Sequence, residues 1–424
     1  MKIKTADYLV KRLAELGIKD IFGLPGDYNF NMLDAIINNP DVNWINCTNE
    51  LNAGYAADGY ARINGYGAVV TTYGVGELSA TNAIAGSYAE NIPVIKITGA
   101  PKTSFINSKA LIHHNFSKPD YYAFEKTYSN IVETTAYLNK DNAKEEIDRL
   151  IETMIKTKKP VYLVIPMDIC HHMIDDKIPE VKIKSDNNAL NDVTEKISCL
   201  INSAKNPLII TDYLIKRYRL QNEVRDFINK YNINITSMIM GKGIVNEDDK
   251  HYIGINHGPL AENDFIEFYK NVDLTIGFGT LFSDLNTLGF AALPDDRFRI
   301  DIQADYAIVD GERFENVLIN DVIEKLLNSN MITPKDQNSA DKPFKGYKNI
   351  EVSDNKIRMD EIFPLLQNFL KSNDTVVIET GIIGHASSKM KLGSDSNYIS
   401  QPLWGSIGWA TPALFGASMA DKSK

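Results

Sequence analysis

The sequence predicts an α/β protein made of three doubly wound parallel-sheet domains. Short apolar runs at 20–22, 68–72, 94–98 and 161–165 have the length of buried strands, and helical periodicity fills the gaps between them. The same alternation resumes at Asn206-Pro207 and again near 359, each time after a polar stretch. At 424 residues the chain is also too long for one ordinary core.

The first block spans 1–175. Tyr8, Leu9, Leu13 and Leu16 recur at helical spacing over 7–16, and Gly17 supplies a C-terminal cap. The run 161–165 is launched by Pro160 and stopped by Pro166. In a doubly wound sheet, ligands bind at the carboxyl ends of strands, so the loops 23–27 and 73–77 lie on that edge. Glu50 opens a helix whose first turns are nearly all small residues, a surface that lets a backbone or a flat ring come close. A linker is expected over 175–192. The second block, 190–330, carries strands near 208–211, 233–238, 274–277 and 298–302. The segment 328–354, rich in Lys, Asp, Asn, Ser and Pro, reads as a second linker. The third block, 352–424, begins with a helix over 359–370 and a strand over 375–378, and ends in a small-residue helix over 410–420.

The bulk composition narrows the classes. A hydrophobic share of 44% and a charged share of 24% belong to a soluble globular protein. No apolar stretch approaches the roughly 18 residues of a membrane span, and the first residues lead into an amphipathic helix rather than a signal peptide. A net charge of −10 argues against nucleic-acid and anionic-membrane partners. Cys47, Cys170 and Cys199 lie far apart without CxxC spacing and read as buried thiols of a reducing cytoplasm; no zinc site is expected.

Several residues stand out chemically. Glu50, pressed into a tight and partly dry wall, would seek a group with which to share a proton; the plainer reading is a first-turn acid favouring the helix dipole. Asp27 follows glycine at a strand's carboxyl end, where it reads equally well as a turn aspartate bonding its own backbone. His113-His114 suits a proton relay near neutrality, while His171-His172 falls at the linker. A His-His step is too short to chelate a metal from one helix face. The turn Gly74-Val75-Gly76 lacks the third glycine of a dinucleotide fingerprint. Gly277-Phe278-Gly279 ends a strand, but no phosphate-cradling run accompanies it, so the central block is expected to hold no nucleotide.

Taken together, Phe22 to Asp27, Thr48 to Arg62, Val70 to Ser79, Ile97 to Pro101, His113-His114 and Ile399 to Gly408 resemble the thiamine diphosphate-dependent 2-oxo-acid decarboxylases, over essentially the whole chain. The resemblance implies an N-terminal pyrimidine-binding domain, a central Rossmann-like domain and the start of a diphosphate-binding domain. It implies release of an aldehyde and carbon dioxide from a 2-oxo acid, in a cytoplasmic homodimer or homotetramer whose active site is shared between subunits. By resemblance Glu50 protonates the cofactor's aminopyrimidine, and Asp27, His113 and His114 act on the substrate. Thr72, Gly74, Glu379, Thr380, Gly381, Gly405, Ser406 and Ile407 contact the cofactor; the Gly405 carbonyl takes its amino group and Ile407 is the wedge that bends it. A fold-only reading makes Ile407 a core residue.

Two departures accompany the likeness. Ile382-Ile383 stands where the family has a hydroxyl or acid, so a polar contact is not expected there. The Gly-Asp-Gly motif that binds magnesium is absent, and the chain ends at Lys424 before the strand that leads to it; Asp58-Gly59 and Asp310-Gly311 are not substitutes. A fragment of a longer protein is therefore expected. A non-catalytic remnant remains an alternative, as does an acetolactate synthase-like carboligase, which the histidine pair and the lack of a flavin signal oppose.

Overall fold

The computed structural model describes residues 1–181, 183–337, 344–351 and 356–423. They form two compact units, Met1–Lys182 with Gly408–Ser423, and Ile183–Ile407. Part of the second expected linker, 338–343 and 352–355, lies outside the described residues, as does the start of the third expected block.

In the first unit the strands are β1 (Lys2–Lys4), β2 (Asp20–Gly23), β3 (Asn43–Asn46), β4 (Gly67–Thr72), β5 (Val94–Ala100), β6 (Thr135–Tyr137), β7 (Val161–Pro166) and β8 (Met173–Asp175). Six of them make one sheet in the order β3-β2-β4-β5-β7-β6, every pairing parallel. Each residue of β4, β5 and β7 is buried, which is why these strands appear in the sequence as runs rather than alternations. β1 and β8 pair antiparallel beside it.

The helix Glu50–Asn64 covers one face of this sheet. Asn49 caps it by accepting from the Asn52 amide at 2.8 Å, and Gly65 ends it at φ 98°. Its small residues permit backbone contact with the helix Ala410–Ala420: a Cβ on Gly416 would stand 1.8 Å from the Ala56 carbonyl oxygen, and one on Gly59 would stand 2.0 Å from that of Ala413. Only glycine fits at either position.

The second unit holds β9 (Pro207–Thr211), β10 (Asn234–Ser237), β11 (Tyr252–Ile255), β12 (Leu274–Phe278), β13 (Phe298–Ile302), β14 (Tyr306–Val309) and β15 (Glu312–Glu315) in the order β11-β10-β9-β12-β13-β14-β15. The first five are parallel and the last two turn back antiparallel. A separate parallel pair, β16 (Thr375–Ile378) and β17 (Asn397–Ser400), belongs to the same unit.

The structure differs from the sequence expectations at three places. The stretch expected as a linker gives way at Asp186, whose side chain accepts from the Asn188 and Ala189 amides and starts the helix Asn187–Ser203. His171-His172 is not loose either, because Ile169–His171 forms a helical turn that leads into β8. Of the three thiols only Cys170 is buried; Cys47 is half-buried and Cys199 exposed.

Candidate functional site

The loops after β2, β4 and β5 meet at the carboxyl edge of the first sheet, and they bring Asp27, His113 and His114 together. The His113 Nε2 lies 3.1 Å from the Asp27 Oδ2, and its Nδ1 lies 3.2 Å from the Tyr28 hydroxyl. A carboxylate only accepts, so Nε2 carries the proton and Nδ1 accepts from Tyr28. The Tyr28 and His113 rings stack at 4.9 Å and 19°. Asp27 and His113 are both open to solvent, at 66% and 55% exposure, so both side chains can be reached by a ligand. Tyr28 is buried, and burial, followed by the neighbouring Asp27, pushes its phenol up to about 12.

His114 sits at φ 65°, a left-handed conformation that aims its ring against His113 at 4.6 Å. Its Nδ1 is buried and has no hydrogen-bond partner among the described residues. Burial, and then His113, lowers its proton affinity, with Asp27 opposing, so His114 is poised as a neutral imidazole. Gly74 makes this arrangement possible: at φ 65° its missing Cβ would fall 2.1 Å from the His114 carbonyl oxygen.

Glu50 projects from the first turn of its helix toward the same loop. Its Oε1 lies 3.2 Å from the place a Cβ on Gly76 would occupy, so the carboxylate rests against bare backbone. Thr72 packs against the loop after β2. It is buried, accepts from the Tyr28 amide at 3.4 Å, and lies against Gly26, where a Cβ would come within 2.6 Å of its own Cβ.

In the second unit, Glu379, Thr380 and Gly381 follow β16 and line a small cleft of about 20 Å³ together with His385 and Gln401. The Thr380 Oγ1 and the Gln401 Nε2 are buried without a hydrogen-bond partner among the described residues. Gln401 also shapes the following turn, since its carbonyl takes the Gly405 amide at 3.0 Å and its Oε1 the Ser406 amide at 3.2 Å. Gly405, at φ 68°, packs over Thr380. Ile407 is 82% exposed, contrary to the fold-only reading of a core residue. Orphaned donors beside a glycine turn suit the anionic and flat parts of thiamine diphosphate. Among the described residues no group of three or more His, Cys, Asp or Glu is placed to hold a metal ion.

Sequence reasoning missed Tyr28 and the orphaned amide of Gln401. Gln401 stood inside a quoted motif without a role, and nothing in the residue order marks Tyr28. Tyr28→Phe is expected to reduce turnover roughly threefold to tenfold, about the worth of one hydrogen bond, with KM little changed, as steady-state kinetics will show.

The fold of the first unit and the groups at its sheet edge fit a thiamine pyrophosphate (diphosphate) enzyme, and comparison with known proteins agrees. Residues 3–124 match the family model for the thiamine pyrophosphate enzyme N-terminal TPP binding domain, and 194–327 that for the central domain. Pyruvate decarboxylase of Kluyveromyces marxianus is 35% identical over 430 residues, covering 99% of this chain and 76% of the relative. The enzyme of Hanseniaspora uvarum is 35% identical over 434 residues, with 100% and 77% covered. Isozyme 1 of Saccharomyces cerevisiae is 34% identical over 426 residues, with 99% and 76% covered. The chain belongs to the pyruvate decarboxylase family, whose members are carboxy-lyases. No described helix is long and apolar enough to cross a membrane.

Proposed function

We propose that this chain, with thiamine diphosphate and magnesium bound, converts a small 2-oxo acid, pyruvate first among them, into an aldehyde and carbon dioxide. The observation that carries the reading is the Asp27–His113–Tyr28 cluster on the same sheet edge as Glu50. The names of the relatives point to pyruvate. In the reaction one carbon–carbon bond breaks, its electron pair stays with the former carbonyl carbon, and a proton takes the place of the departing carbon dioxide. No oxidant takes part.

Thiamine diphosphate, when bound, supplies the electron sink for that pair. Glu50 holds a proton for the cofactor's aminopyrimidine nitrogen. Thr380 and Gln401 would offer their unpaired donors to the diphosphate, the Gly405 carbonyl would accept from the cofactor's amino group, and the exposed Ile407 would pack against it. Asp27 faces the substrate carboxylate, and loss of that charge as carbon dioxide relieves their repulsion. His113, with its proton on Nε2, and the neutral His114 hold and return the proton that ends on the product carbon. Magnesium accompanies the diphosphate, but the described residues form no ligand set for it, and no step runs through it. The working form is taken to be a homodimer or homotetramer in the cytoplasm, with the domains divided at 1–175, 190–330 and 352–424.

The test is a calorimetric titration of the chain with thiamine diphosphate and magnesium, with aldehyde release from pyruvate, 4-methyl-2-oxopentanoate and phenylpyruvate followed in parallel. Saturable binding with acetaldehyde as the fastest product is expected. Binding without turnover of any acid favours the non-catalytic alternative, and no binding removes the proposal.

A further inference from the structure

Glu77 lies in the short helix Val75–Ser79 that follows β4, and it is 1% exposed. A glutamate at the third position of a helix commonly reaches back to the amide before it, and Glu77 accepts from the Gly74 amide at 2.6 Å. A cap of that kind works as well in water. Out of water the same carboxylate is expensive and has to be met by further donors. The Tyr162 hydroxyl on β7 donates to its other oxygen, and the Tyr128 hydroxyl, from the helix Ala123–Tyr128, donates to its backbone carbonyl. The two tyrosine rings stack at 4.2 Å. Lys96, fully buried on β5, lies 5.8 Å from each ring. Its Nζ donates to the Thr71 Oγ1 at 2.7 Å, the Thr98 Oγ1 at 2.8 Å and the Ile97 carbonyl at 3.1 Å. Five residues of helix do not call for so much.

What the carboxylate holds is uncommon backbone. Gly74 has φ 65° and ψ −95°, near the rare and strained γ-turn. Its missing Cβ would stand 2.1 Å from the His114 carbonyl oxygen and 3.2 Å from the His114 Cβ. His114 is itself left-handed at φ 65°, and it carries a side chain. Two residues in sparsely populated conformations therefore touch, and such an arrangement persists only where its surroundings over-determine it. On the Gly74 side the short, charge-assisted bond from Glu77 supplies that constraint, while the Leu78 amide holds the Gly74 carbonyl at 3.0 Å. On the far side the His114 ring meets the His113 ring at 4.6 Å and the Tyr28 ring at 5.8 Å, and the His113 Nε2 reaches Asp27.

We propose that Glu77 is a positioning residue for the reaction: its buried carboxylate fixes the Gly74 amide, and the Gly74 backbone so held seats His114 with its ring against that of His113. This inference rests on His114 taking part in the return of the proton to the product carbon.

The experiment follows the His114 imidazole by NMR in the cofactor-free full chain labelled with 15N-histidine, the resonance being identified by its loss in His114→Gln. In Glu77→Met both carboxylate bonds are lost, so the Gly74 turn relaxes and the His114 ring leaves His113. Its resonance is then expected to titrate at higher pH than in the wild type, because burial and the neighbouring imidazole no longer hold its proton affinity down. With thiamine diphosphate and magnesium added, turnover of pyruvate is expected to fall about tenfold to a hundredfold, the cost of a misplaced reacting group. Glu77→Gln keeps an oxygen for the Gly74 amide and is expected to restore most of both. Glu77→Met/Lys96→Met removes the two buried charges together and stands in if the single variant does not fold; the same displacement is expected of it. A folded Glu77→Met or double variant whose His114 titrates as in the wild type overturns the proposal, whether or not turnover falls. Wild-type turnover in His114→Gln sinks the underlying reading instead, whatever the resonance does in the Glu77 variants.

Discussion

Glu50→Gln is expected to lower aldehyde release by about three orders of magnitude at saturating thiamine diphosphate, within the range that one positioned proton-transfer group supplies. The replacement is nearly isosteric. It keeps the helix start, because the cap belongs to Asn49, and the stability change should stay within the ~0.3–1 kcal/mol of a first-turn charge against the dipole. Glutamine neither gives nor takes the proton. Glu50→Asp is expected to fall between, since it retains the acid but withdraws it from Gly76 by about one methylene. Product assays together with thermal melts of the three proteins make the comparison. A loss below tenfold in a fully folded Glu50→Gln would remove Glu50 from the chemistry and leave it as a helix-terminal charge.

How much of this could be read from residue order differs between fold and site. The central strands were legible because both of their faces are covered, so β4 and β7 are unbroken apolar or hydroxylic runs and β5 departs from one only at Lys96. β3 was not, because Asn43-Trp44-Ile45-Asn46 offers only two apolar residues at a half-exposed edge. β1 and β8 are three residues each and exist through a pairing that spans the first unit from end to end, which no local pattern records. In the site, Asp27 and the histidines were legible as residue types following strands. What orders them was not: the Tyr28 stack on His113, and the left-handed His114 allowed by Gly74, are through-space facts. Lys96 did leave a trace. A lysine inside Val94-Ile95-Lys96-Ile97 interrupts an apolar run in a strand that is buried throughout, and such a residue needs hydrogen-bond partners.

Arg62→Met is expected to produce the largest loss of stability of any single change considered for the first unit, about 3–5 kcal/mol, because it strands charge rather than removing surface. Arg62 and Asp58 lie one turn apart on the Glu50–Asn64 helix, with the Arg62 Nε 2.7 Å from the Asp58 Oδ1 and its Nη2 2.8 Å from the Glu90 Oε2. Both carboxylates are at 0% exposure. Asp58 also accepts from the Ser87 hydroxyl at 2.8 Å and from the Trp409 indole at 3.0 Å, and the Trp409 ring lies 4.8 Å from the guanidinium carbon. Neutral donors of this kind orient a carboxylate but do not balance it. Methionine keeps most of the side-chain volume, so the change tests charge more than packing.

The cost arises where the two carboxylates stay buried without the guanidinium. Hydrogen exchange of the helix amides measures it locally, without requiring the two units to unfold together. Asp58→Asn in the Arg62→Met background is expected to recover part of the loss; a deficit that it leaves unchanged would assign the loss to packing against Trp409 instead. Because Glu50 starts the helix that Arg62 anchors near its other end, the variant should also bind thiamine diphosphate more weakly at neutral pH and recover part of that affinity when Asp58→Asn relieves one of the stranded charges.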